Sequence, residues 1–378
     1  MNESILKRNS GIELLKLFAI GSIIMAHVLE TLSTKIWCIP INDYVLDLSC
    51  ATTSVKQFIL SILRCGGALG NTIFFVCSAW FLLESTKCNM RKVVYMIMEI
   101  WVVSVIILGI SFSILGKTIA IRYIFKSLFP TTFSNNWYLT CYIIFYLIHP
   151  ILNSVIKLLG KKKLFWCCII MFIMYFCFGM LKADMFFSSI LIVWLTIYFI
   201  MAYIKFFGTQ VLYSNKRNVI LLVCGIAMHL GAMLATNLLG LHIPFLKFKL
   251  LKWASNCNPF LLMISISLFM LARKLDKKMR AVNYIASFSL LIYIIHENII
   301  LSIYFRPYII NDIYLKYGYR HILFWVLIVS IAIFVGALLC SIIYERTIKK
   351  VVRKHSGELY VKLSNTKRVL EDKVMKDK

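Results

Sequence analysis

Gly11-Ile-Glu-Leu-Leu-Lys16-Leu-Phe-Ala-Ile-Gly-Ser-Ile-Ile-Met-Ala-His27-Val-Leu-Glu30 is an apolar run of membrane-spanning length that carries a lysine and a histidine. Eleven residues at about 100° each make three turns plus about 20°, so Lys16 and His27 nearly eclipse, roughly 16 Å apart along the axis. Ionisable groups inside a membrane segment are costly and by default mark function. The bland alternative is a lysine that snorkels to the interface and a histidine bonded to a neighbouring helix. The run has no small-residue cleavage site and reads as a retained helix, not a signal peptide.

The rest of the chain repeats this character. Of 378 residues, 61% are hydrophobic and 15% charged, which excludes an ordinary soluble domain. We read an all-α, polytopic membrane protein with about ten spans, near 12–30, 66–84, 93–115, 136–156, 164–181, 187–205, 218–236, 257–273, 284–304 and 321–343. Residues 53–65 extend the second span, and 118–129 and 241–253 read as interfacial helices. Residues 1–343 form one membrane-embedded domain; 344–378 form a basic tail too short and too charged for a core of its own.

The net charge of +26 does not point to nucleic acid, because the basic residues sit between apolar segments and in the tail, where topology explains them. With the N-terminus inside, Lys7, Arg8, Lys87, Arg91, Lys92, Lys157, Lys161 to Lys163, Lys205, Lys216, Arg217, the 273–280 loop and the tail all face the cytoplasm. Both termini are then cytoplasmic, in a plasma-membrane, multi-pass arrangement. The 12 cysteines contain no C-x-x-C pair, so neither a metal site nor a disulfide framework is expected; Cys38 and Cys50 share one loop and could pair if it faces outside.

Several polar residues gather at the level of His27. His296 and Glu297 end the run Leu291-Ile-Tyr-Ile-Ile-His-Glu. Arg64 precedes the small-residue run Gly66-Gly-Ala-Leu-Gly-Asn71, where backbones can approach closely. Asn136 and Trp137 open the fourth span. Asn258 and Pro259 are a good helix start, and Pro150 should kink the fourth span. Glu99 reads as half of a structural pair, and His149, His229, His242 and His321 as structural.

Four stretches, in order, resemble the acyltransferase-3 family of integral-membrane O-acyltransferases. They are Asn9-Ser-Gly-Ile-Glu-Leu-Leu-Lys16 through His27, Gly70-Asn-Thr-Ile-Phe-Phe-Val-Cys-Ser-Ala-Trp-Phe-Leu82, Asn136-Trp-Tyr through His149-Pro150, and Ile292-Tyr-Ile-Ile-His-Glu-Asn298. The chain departs from that pattern at Lys16, where arginine is usual, at Ala79, where glycine is usual, and at Arg64, which lacks a second arginine three residues on. Lysine keeps the charge but loses the bidentate fork.

The resemblance implies transfer of an acyl group, most often acetyl from acetyl-CoA, to a hydroxyl of a cell-surface or exopolysaccharide sugar, with no metal. Lys16 and Arg64 then bind the donor, and Asn136 and Trp137 the glycan acceptor. His27 is the general base, and direct transfer and an acyl-histidine intermediate are both open. His296 or Asn136 orients the base or stabilises the oxyanion, and Glu297 pairs with His27 or Arg64. The expected partners are the lipid bilayer, acyl-CoA and the glycan, with association with polysaccharide biosynthesis machinery. The competing reading is a transporter or flippase of a glycan or lipid-linked intermediate.

Overall fold

The computed structural model describes residues 8–33, 46–133, 135–181, 190–208, 213–275 and 277–376. Of the possible Cys38–Cys50 pair, Cys38 lies outside them. The described residues form helices and no strand: α1 (Ser10–Ser33), α2 (Val55–Arg64), α3 (Gly66–Leu82), α4 (Met90–Leu115), α5 (Ile121–Leu128), α6 (Trp137–Phe172), α7 (Phe178–Leu181), α8 (Ile190–Phe207), α9 (Asn215–Gly240), α10 (Pro259–Ala272), α11 (Arg280–Ala286), α12 (Ser289–His296), α13 (Arg306–Tyr317), α14 (Ile322–Thr347) and α15 (Lys349–Lys376).

Among the described residues, eight helical stretches are long and apolar enough to cross a membrane, or nine if the bent pair around 289–317 counts as one span. The spans read at 136–156 and 164–181 belong to a single stretch, Trp137–Met180. Its turn is made by Gly160 alone, at φ 63° and ψ −178°, a conformation that favours glycine.

Pro150 does not break α6; the non-helical backbone is at Gly160. A proline removes the amide that would bond the carbonyl four residues back, here Tyr146. The His149 ring reaches that carbonyl, Nδ1 to O at 2.6 Å, and satisfies it. This gives His149 a structural role, as the sequence indicated.

Helix α1 lies at the centre. The Asn9 side chain accepts from the Ile12 amide at 3.0 Å, capping its first turn, and donates to the Arg273 carbonyl beyond α10 at 2.8 Å. Ala19, Ile20, Ile23, Ile24, Ala26, Val28 and Leu29 are buried. Because lipid is as apolar as leucine, such contacts stabilise by packing rather than by exclusion of water. The small residues of α3 permit that packing. A Cβ on Gly70 would stand 2.5 Å from the Ala19 carbonyl, and one on Gly67 3.0 Å from the Ala26 Cβ. Overpacking such a seam costs about 1–3 kcal/mol.

Two peripheral elements matter below. The 118–129 region is a short helix, α5, bound through the Ala120 amide to the Tyr304 hydroxyl at 2.8 Å. The segment read as a basic tail is helical, and its first turns run antiparallel to α4. Val352 and Ser356 are buried, Arg353 lies over the Tyr95 ring at 5.6 Å, and Gly357 faces Arg91. Beside this seam Glu99 accepts from the Tyr95 hydroxyl at 2.6 Å, the structural pairing expected of it.

Candidate active site

The α12 helix stops at His296, and the chain resumes as a π-turn at Leu301–Phe305 running into α13, bent by 55°. Broken helices at membrane depth survive where other groups take up the freed backbone. Asn298 accepts from the Ile300 amide at 3.0 Å, and the Arg306 guanidinium donates to the His296 carbonyl.

This break carries His296 and Glu297, two of the candidate catalytic residues. Glu297 Oε1 stands 2.9 Å from His27 Nδ1 on α1 and 3.0 Å from Arg306 Nη2. His296 Nε2 stands 3.4 Å from the same His27 nitrogen, with the two rings stacked at 5.5 Å between centroids. The expectation that His27, His296 and Glu297 share one place is met geometrically.

The partners assign the tautomers. His296 Nδ1 lies 2.8 Å from the Ile292 carbonyl, which only accepts, so that nitrogen holds the proton and Nε2 the lone pair. His27 Nδ1 therefore faces two acceptors, that lone pair and the Glu297 carboxylate. Its proton is on Nδ1, which leaves His27 Nε2 as a free base. Carboxylate, imidazole and free nitrogen stand in the relation used by serine hydrolases.

Arg306 was not singled out in the sequence. It lies beyond the predicted end of the ninth span, and only the bend returns it to Glu297. Its one sequence signal is an Arg-Pro pair closing an aromatic run. Arg64 is not the partner of Glu297: its Nη2 lies 3.0 Å from Glu30, one turn past His27 on α1.

Below the dyad runs a cavity of about 300 Å³, lined among others by Arg8, Lys16, Lys92, Ile23, Tyr138 and Tyr293. At one end Lys16 Nζ lies 2.7 Å from Glu13 Oε1, and Arg8 Nη1 3.6 Å from Oε2. Three cations to one carboxylate leave this mouth positive. At the other end Ile23 and Tyr293 each sit one turn before a site histidine, His27 and His296. Asn136 and Trp137 lie at the start of α6, beside the cavity-lining Tyr138, whose ring meets Tyr293 at 5.7 Å. Thus Lys16 lines the cavity, Asn136 and Trp137 are next in the chain to its lining residue Tyr138 but do not line it, and Arg64 is held by Glu30 one turn beyond His27.

A helical membrane bundle with a paired histidine and carboxylate over a cation-mouthed cavity defines a membrane-embedded acid–base site. The family profile described as an acyltransferase domain (Acyl_transf_3) matches residues 9–345. The chain belongs to this acyltransferase family and is a membrane acyltransferase; the match stops just before α15. No curated protein and no solved structure matches the chain.

Proposed function

We propose that this acyltransferase transfers an acetyl group from acetyl-CoA to a sugar hydroxyl of a cell-surface or exopolysaccharide glycan. The observation that carries this reading is the cavity that joins Arg8, Lys16 and Lys92 to the turn beneath the His27–Glu297 pair. Phosphates of the donor meet the cations at the cytoplasmic mouth through charge-assisted hydrogen bonds. The pantetheine arm follows the face of α1 from Lys16 to Ile23. At about 300 Å³ the cavity lies at the small end of ligand pockets, which favours a short acyl group.

The acceptor arrives from the opposite, outer side. As its oxygen attacks the thioester carbon, His27 Nε2 takes its proton, and Glu297 holds the imidazolium that forms. The C–S bond breaks and the proton passes to the departing thiolate. His27, His296 and Glu297 also lie within 4.8 Å of one another, close enough to hold a metal. The Arg306 cation already on Glu297 Oε1 supplies the positive charge there, which favours the ion-pair reading.

Purified protein given radiolabelled acetyl-CoA and cell-surface glycan should label the glycan. His27→Ala should lower the rate by about 10²–10⁴-fold, the usual worth of a general base. Full transfer by well-inserted His27→Ala protein would remove His27 from the mechanism.

A further inference from the structure

We propose that the Tyr293 hydroxyl binds the thioester carbonyl oxygen and stabilises the oxyanion formed there. This rests on the acyl-transfer reading above and names a catalytic group within it.

Three observations converge on this hydroxyl. First, Tyr293 is only 6% exposed, yet among the described residues its hydroxyl oxygen has no hydrogen-bond partner of ordinary geometry. Buried polar groups are almost always paired, and leaving one unpaired costs about 1–3 kcal/mol. Second, it lines the cavity, one turn before His296, with the two rings 5.7 Å apart. A thioester that has travelled the cavity reaches this turn before it reaches His27. Third, the start of α6 faces it. The rings of Tyr138 and Tyr293 meet there at 5.7 Å, and the first amides of a helix have no intrahelical acceptor.

A second orphan strengthens the case. Asn136 Nδ2, at the same start of α6, is also buried and without a partner among the described residues. Two such donors and a helix N-terminus, with its partial positive charge, thus stand beside Tyr138, which lines the cavity. Negative charge develops on the carbonyl oxygen during thioester attack, and donors fixed in advance act on it strongly in a water-poor site. In the transfer step the acceptor oxygen bonds to the carbonyl carbon, His27 takes the acceptor's proton, and Tyr293 donates a hydrogen bond without losing its own. On collapse the C–S bond breaks and the thiolate leaves with the proton from His27.

Tyr293→Phe removes one oxygen and keeps the ring. In purified protein, kcat for acetyl transfer should fall by about 10²-fold or more while KM for acetyl-CoA stays within twofold. A second readout uses ¹³C-carbonyl acetyl-CoA bound to His27→Ala protein, which binds without turnover. Its carbonyl stretch should lie at lower frequency than in water and move up when Tyr293→Phe is added. Tyr293→Phe protein with wild-type kcat, or with a raised KM and unchanged kcat, or with an unmoved carbonyl stretch, would overturn the assignment. Absence of transfer by the wild-type chain would instead sink the acyl-transfer reading, and this assignment with it.

Discussion

Two carboxylates on the two sides of one cavity have nearly the same surroundings and opposite consequences. Glu13 lies between Lys16 and Arg8; Glu297 lies between His27 and Arg306. The flankers of Glu13 are both permanent cations, so that cluster has positive charge to spare and, with Lys92 nearby, suits an anionic ligand. One flanker of Glu297 is an imidazole. The carboxylate and Arg306 cancel, and the imidazole stays free to accept a proton. In the proposed mechanism, net charge, more than geometry, separates a binding cluster from a reactive one.

The comparison can be broken with one substitution made twice. Glu297→Gln should lower kcat by about 10²–10³-fold, because the amide no longer fixes the His27 proton on Nδ1 or stabilises the imidazolium; steady-state kinetics against wild type checks this. Lys16→Gln should act next most strongly, raising KM for acetyl-CoA about 10-fold with kcat nearly unchanged, the effect of losing a hydrogen bond to a charged group worth roughly 1.5–3 kcal/mol. That loss should shrink as salt rises. Glu13→Gln should have the smallest effect and the opposite sign. Removing the negative charge from the mouth should lower KM for acetyl-CoA two- to fivefold at low ionic strength by an order-of-magnitude estimate. If Glu13→Gln and Glu297→Gln damage kcat alike, the two clusters do not differ in the way described.

The sequence carried those parts of the site that sit on regular helix. Lys16 and His27 share a face of α1 by simple arithmetic, and His296 with Glu297 ends an apolar run. The glycines of α3 and the Asn258 cap, whose side chain bonds the Phe260 amide at 2.9 Å, are local patterns with local consequences. What escaped depends on breaks. Arg306 reaches Glu297 only through the 55° bend, and no periodicity encodes a bend. Tyr293 looks like one more apolar aromatic until the start of α6 is placed against it. The helix survives Pro150 because His149 bonds the Tyr146 carbonyl, a rescue that composition does not reveal. The basic tail packs along α4 through Val352, Ser356 and Gly357, small or apolar residues that are inconspicuous among lysines.

The backbone contact between α1 and α3 sets a limit of another kind. With Gly70 against the Ala19 carbonyl and Gly67 against Ala26, α1 is held along the interval between Lys16 and His27. In the proposed reaction that interval works as a fixed gauge between donor anchor and base. One inserted residue would turn His27 about 100° away from Glu297 and shift it about 1.5 Å along the axis. In the proposed reaction these eleven steps of helix cannot change in number without parting the two groups.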